Sequence, residues 1–169
     1  MEYSFAGLPL HVLLVHAVIV LTPLVALLLV VLAAWPAARR VLWLPTLIGA
    51  ALLVPLGLLT VEAGKWLEAR VPEAPLIQQH TGMGEELTPW LSGLLAVAVL
   101  TAAWALVERA DSRRTSGGMS RGVRVGVAAG LVIASLAVAI GSTVTLVRIG
   151  EAGSRAVWEG SFSEDPLER

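Results

Sequence analysis

The 169-residue chain has no cysteine, which excludes disulfides, iron–sulfur clusters, thiolate zinc sites and covalently attached c-type haem. Charge is scarce as well, at 15% of residues, where soluble domains carry about 25%. There is no basic excess: 12 Lys and Arg stand against 13 Asp and Glu, for a net charge of −1. A chain without surplus positive charge cannot neutralise a run of phosphates, so nucleic acid is not expected as a partner. Histidine occurs three times, and these few rings with some carboxylates are the material left for chemistry.

What is abundant is apolar surface, 56% of the residues. No Asp, Glu, Lys or Arg falls in 3–38, 41–61, 87–107 or 125–147, and each run exceeds the roughly 20 residues that cross a bilayer as helix. The expected fold class is all-α: a polytopic membrane protein of four transmembrane helices in an antiparallel bundle, with the lipid bilayer as its first partner. The helices are placed at about 8–35, 41–66, 85–108 and 122–148 within one domain over 1–160, followed by a short polar tail, 161–169. The first apolar run is far longer than a signal-peptide core and is not preceded by Lys or Arg, so helix 1 is expected to stay in the mature protein.

Positive charge beside short loops resists translocation. Arg39 and Arg40 flank loop 1–2, and Arg109, Arg113, Arg114, Arg121 and Arg124 flank loop 3–4. Lys65, Arg70, Arg148, Arg155 and Arg169 lie on the other side. The bias predicts both termini on the non-cytoplasmic side of the cell inner (cytoplasmic) membrane. Trp35 and Trp43 would then lie at the cytoplasmic interface, and Trp66 and Trp90 at the outer one.

Helices in lipid associate by close approach, which small residues permit. Gly122, Gly126, Gly130 and Ala134 recur every four residues on helix 4, and this stripe reads either as a tight intramolecular contact or as the seam of a homodimer or larger membrane complex. Pro23, Pro45 and Pro55 fall within spans, where kinks are expected. The segment 62–90 is too polar to span. Pro75 can open a helical piece there that carries His80, Gly84, Thr88 and Leu91 along one face toward helix 3.

His11 and His16 stand in an uncharged apolar run, where ionisable side chains are rare and mark functional sites by default. Five residues of helix turn their rings about 140° apart, so one regular helix cannot aim both at one small ion. His16, about two turns inside, is the expected ligand, or else a neutral ring hydrogen-bonded between helices; His11 has the comfort of the interface. With the termini outside, all three histidines reach the outer leaflet. Axial histidines from different helices are what a buried b-type haem requires, and His16 with His80 is the expected pair, His11 being second. Gly84 would leave room for a flat macrocycle, and Arg148 could pair with an anionic cofactor edge. A divalent transition-metal site on His80, Glu85 and a helix-1 histidine (His16 foremost) is the next option, and a protein with no cofactor is the third. No nucleophile elbow or buried acid partner supports Ser–His–Asp catalysis. Beyond the last span, Glu151, Arg155 and Glu159 recur every four residues, so one face can be laced by ion pairs with Trp158 as anchor, or can dock a partner.

The run GLPLHVLLVHAVIVLTPL resembles the start of the bacterial membrane family called domain of unknown function 2231, through Leu10, His11, Val15 and His16. Gly57 to Gly64, HTGMGEELTP and VRIGEAGSRAVW extend the likeness over nearly the whole chain in order. Val12 and Val18 stand where that family usually has proline, and Ala17 where it has phenylalanine. The resemblance implies a four-helix integral membrane protein of bacteria, with a layout like that of b561-type membrane cytochromes, and it brings no defined activity. The expected function is a histidine-lined site near the outer face that binds b-type haem or a metal for electron transfer; the alternative is a non-catalytic subunit or assembly module.

Overall fold

The computed structural model describes residues 2–114, 117–163 and 165–166. Thr115 and Ser116 of the arginine-rich loop, and Glu164 and Leu167–Arg169 of the tail, lie outside the described residues.

The structure is all-helical apart from one small hairpin, β1 (Ser4–Phe5) and β2 (Leu8–Pro9). Its two-residue turn puts Ala6 at φ 50° and Gly7 at φ 79°, the paired left-handed conformation that a tight hairpin demands and that glycine adopts freely. The helices are α1 (Leu10–Ala34), α2 (Pro36–Glu68), α3 (Pro75–Met83), α4 (Thr88–Asp111) and α5 (Arg121–Trp158), with a single 3₁₀ turn, Gly84–Leu87, joining α3 to α4. Four of these helical runs are long and apolar enough to cross a membrane, the mark of a multi-pass membrane protein.

The expected helix 2 begins five residues early. Trp35 alone separates α1 from α2, because Pro36 at the first helical position has the backbone angle of a helix and no N–H to lose. Arg39 and Arg40 therefore belong to a helix and not to a loop. α1 runs unbroken through Pro23, and α2 through Pro45 and Pro55. Pro75 opens α3 as its composition predicts, although the helix ends at Met83 and continues as the 3₁₀ turn. α5 has 38 residues, roughly 57 Å at a rise of about 1.5 Å, so it outruns a hydrocarbon layer of about 30 Å. The carboxyl ends of α2 and α5 project together at the end where α1 begins.

The four long helices form a ring in the order α1, α2, α4, α5, with α3 laid against α5 and α2. One register holds along the α2–α4 seam. Arg39 is ion-paired with Glu108, and seven-residue steps from that pair bring Thr46 opposite Thr101, Leu53 opposite Leu94 and Thr60 opposite Leu87, the six stepped residues all being buried. Leu91 occupies the place where Gly57 would carry a Cβ, which agrees with this register. On the α1–α5 seam the Ser135 hydroxyl reaches the carbonyl of Leu29, and one step of seven brings buried Thr22 level with buried Ser142. Seven-residue repetition is the spacing of left-handed antiparallel bundles. The main apolar core lies between Val18 and Leu29, Leu53, Leu87 to Val97 and Leu146.

The glycine stripe of α5 does not make the expected intramolecular contact. Among the described residues no atom beyond the helix's own backbone comes within 4 Å of a Cβ built on Gly126 or Gly130, and Gly122, Gly126 and Gly130 are exposed. Close packing falls to other glycines of the bundle, among them Gly93 against Val138 and Gly141 against the ring of Trp90. Trp90 is thereby drawn onto α5.

Candidate functional site

The two ends of the bundle hold most of its polar chemistry. At the end where α1 meets α2, Arg39 is 1% exposed and makes a two-pronged contact with Glu108, Nε to Oε2 and Nη2 to Oε1, both at 2.9 Å. Its Nη1 donates to the carbonyls of Leu32 and Ala33. These are last-turn carbonyls of α1, which have no partner within their own helix. One guanidinium thus caps α1, starts α2 and clamps α4. Nearby, Arg109 donates to the carbonyl of Arg40 and lies over the Trp43 ring, 5.3 Å from its centroid. Buried Asp111 accepts from the Met119 N–H at 3.0 Å and from Arg124 at 2.6 Å, closing the loop into α5. In the sequence Arg39 serves only as a positive charge that marks orientation. Its burial was not legible there, because it depends on a carboxylate 69 residues away.

At the opposite end stand the histidines. His11 is the second residue of α1, held there by the hairpin, whose Tyr3 carbonyl accepts from the Leu10 N–H at 2.9 Å. The Tyr3 ring meets Trp66 of α2 edge-on at 6.4 Å, pinning the hairpin to the end of that helix. His80 comes from α3, which packs on α5. The rings of His11 and His80 lie 6.0 Å apart between centroids at 71°, both half-buried.

The tautomer of each neutral ring follows from its partner. His11 Nδ1 lies 2.9 Å from the carbonyl oxygen of Thr60, and His80 Nδ1 lies 3.1 Å from that of Ile149. A carbonyl oxygen only accepts, so each Nδ1 carries the hydrogen and each neutral ring keeps its lone pair on Nε2. Among the described residues no hydrogen bond reaches either Nε2. An imidazole whose N–H is fixed by a backbone carbonyl and whose other nitrogen is free has the arrangement of a metal ligand.

Each ring also lies on a glycine. A Cβ on Gly64 would stand 3.0 Å from His11 Nδ1, and one on Gly153 would stand 2.9 Å from His80 Cε1. Both glycines end a Glu-Ala-Gly tripeptide, Glu62–Gly64 and Glu151–Gly153. The repeated tripeptide was a signal in the sequence that could have found both.

His16 does not join His80. It is exposed on the opposite side of α1, with its Nδ1–H bonded to the carbonyl of Val12 one turn back at 2.6 Å. The rotation between the two helix-1 histidines separates them as expected, but it is His11 that faces inward. Hairpin and α2 contacts set that rotation, and depth in the apolar run does not. A ring whose N–H is satisfied by its own helix can stand on the outside of a bundle.

The other expected site residues are also placed elsewhere. Gly84 faces α2, where its Cβ would be 3.8 Å from Val61, and it clears no space beside His80. Glu85 is ion-paired with Lys65 at 2.6 Å, and the same Lys65 reaches Glu62 at 3.3 Å, so both carboxylates are directed at the ammonium. Arg148 is exposed on α5, one residue before the Ile149 that holds His80. On the projecting end of α5, Arg155 pairs with Glu151 at 2.8 Å, as the four-residue spacing predicts. Two open clefts at this end, of about 270 and 350 Å³, are lined by Lys65, Ile77, Glu85 and their neighbours and by neither histidine.

Among the described residues, no group of three His, Asp or Glu side chains could hold a metal ion. The histidine centre therefore offers two nitrogen donors and no carboxylate. No protein-family model matches the chain, and no curated protein or solved structure matches it.

Proposed function

We propose that the protein is an electron-transfer component of the cell inner (cytoplasmic) membrane, with both termini on the non-cytoplasmic side, that holds one b-type haem between His11 and His80. The observation that carries this reading is the pair itself: two imidazoles from different helices, each with its Nδ1 fixed on a backbone carbonyl and, among the described residues, no hydrogen bond to its Nε2. The two rings stand close together, 6.0 Å between centroids. A bare divalent ion asks for three or four protein donors. A macrocycle brings four nitrogens of its own and asks the protein for two, the number this site has. Both rings are half-buried, so the pair is open on one side of the bundle.

His11 and His80 would hold the haem, and the carbonyls of Thr60 and Ile149 would fix their orientation and raise their basicity. Bound haem supplies one-electron exchange at its iron. The apolar helices keep water from the inner face of the pair, and the neutral tautomer of each ring leaves the donor nitrogens ready without loss of a proton. The resemblance to the domain of unknown function 2231 family is in keeping with this reading and names no activity.

The test is the haem content of protein purified from haem-replete cells. One haem per chain by pyridine haemochromogen, with a low-spin reduced-minus-oxidised spectrum, supports the proposal. Colourless protein overturns it. Sidedness is checked separately: Ser112→Cys should be protected from an impermeant thiol reagent in intact cells, and Ser161→Cys should label.

A second reading, a subunit or assembly module, is favoured by one observation. The Gly122, Gly126 and Gly130 stripe is exposed, and among the described residues no other helix packs on Gly126 or Gly130, as would hold for a homodimer seam or a contact in a larger membrane complex.

A further inference from the structure

We infer that Gly64 and Gly153 are positioning residues, the equivalent seats of the two histidines in two copies of one helical-hairpin unit. The inference rests on the proposed function for what the pair holds, and on geometry for how the pair is held.

The first unit is His11, α1 and α2; the second is His80, α3 with α4, and α5. In each unit the histidine stands at the start and its ring crosses to the last turns of the returning helix. In each, Nδ1–H donates to the carbonyl four residues before the glycine, Thr60 for Gly64 and Ile149 for Gly153. In each, the glutamate of the Glu-Ala-Gly tripeptide pairs with a base about one turn on, Lys65 at 3.3 Å and Arg155 at 2.8 Å. The packing has the same symmetry. α1 lies against α5 and α4 lies against α2, and an exchange of the two units turns one of these interfaces into the other.

The seat has a physical reason. Within a helix, the carbonyl of residue i accepts the N–H of residue i+4, and its second lone pair is free for another donor. A donor reaching that lone pair must lie over residue i+4, whose Cβ tilts toward the helix N-terminus and so toward the same carbonyl. Only glycine leaves the place empty. A methyl there would stand 2.9 Å from the His80 ring and 3.0 Å from the His11 ring, so either ring must move and its bond to the carbonyl must lengthen.

The experiment uses the full-length protein in nanodiscs with ¹⁵N-labelled histidine and no added haem. The wild type should show His11 and His80 as Nδ1–H tautomers. Gly64→Ala should shift the His11 nitrogens alone, and Gly153→Ala those of His80 alone, to a similar degree. Unchanged ring nitrogens in either variant overturn the inference. Thermal unfolding adds an independent arm: Gly153→Ala should lower Tm by about 3 °C or more, and by nothing in a His80→Ala background. Should Gly153→Ala not accumulate, accumulation of the double variant supports the seat, and its failure overturns it. An equal Tm loss with and without the ring also overturns it. Haem content separates the two levels: the expected nitrogen shifts in a protein that binds no haem leave the seats standing and remove the proposed function.

Discussion

The two ends of this bundle use polar groups in opposite ways. Around Arg39, charge is buried and answered within the chain: Glu108 faces both prongs of the guanidinium, and two helix-terminal carbonyls take what remains. Around His11 and His80 no partner in the pair is charged, each ring has one nitrogen tied to a backbone carbonyl, and the other is left over. The first arrangement closes on itself and orders helices. The second is ordered just as specifically, yet among the described residues neither Nε2 has a hydrogen-bond partner. The contrast separates a structural polar cluster from a site more clearly than charge or depth does, since the more buried and more charged cluster is the structural one.

The largest expected effect lies at the arginine end. Removing one partner of a buried ion pair leaves the other without compensation, at a cost of about 3–5 kcal/mol. Arg39→Ala should therefore lower Tm by roughly 10 °C, more than any change to a histidine. The pair Arg39→Met with Glu108→Leu should recover much of that loss, because buried ion pairs are often matched by packed apolar residues of similar size. Thermal unfolding of the three proteins in detergent decides this, and an Arg39→Ala protein as stable as wild type would erase the difference between the two ends.

A smaller effect of opposite sign is expected one seven-residue step along the same seam. The hydroxyls of Thr46 and Thr101 are buried and have no hydrogen-bond partner among the described residues. Such a group costs about 1–3 kcal/mol to keep dry, so Thr46→Val and Thr101→Val should each leave Tm unchanged or raise it by a few degrees. Marked destabilisation by either would show that these hydroxyls are answered, and that the polar cluster extends inward from Arg39.

How far the sequence reached is clear from particular elements. The four spans were legible because charge-free runs of that length have one comfortable conformation in lipid, and Pro75 marked the start of α3 for the same kind of local reason. The hairpin of residues 4–9 was not legible: two-residue strands carry no periodicity. The choice between His11 and His16 was out of reach, since periodicity measures the angle between two residues of a helix and not which of them faces a neighbour. Arg39 misled for a related reason, a positive-inside count treating every arginine near a helix end as solvated. Glu85 reads as one option for a metal ligand, and the ion pair it makes with Lys65 rests on a contact across 20 residues that its own spacing does not show.

The smallest effect belongs to the outward glycines. Leucine at Gly126 and Gly130 meets, beyond its own helix backbone, no atom of the described residues within 4 Å of the added Cβ, so monomer stability should stay within about 0.5 kcal/mol of wild type. Light scattering in detergent is the informative measurement. A fall in oligomer size would assign the stripe to a partner copy, and a large loss of monomer stability would contradict its outward placement.

The most direct test of the account compares two alanine variants on one helix. Haem content and the reduced-minus-oxidised spectrum should be measured on membranes containing His11→Ala or His16→Ala beside wild type. Loss of the low-spin spectrum in His11→Ala, with His16→Ala unchanged, is the predicted result. Retention in His11→Ala with loss in His16→Ala would contradict the inward placement of His11 and, with it, the reading of the histidine end as the open site.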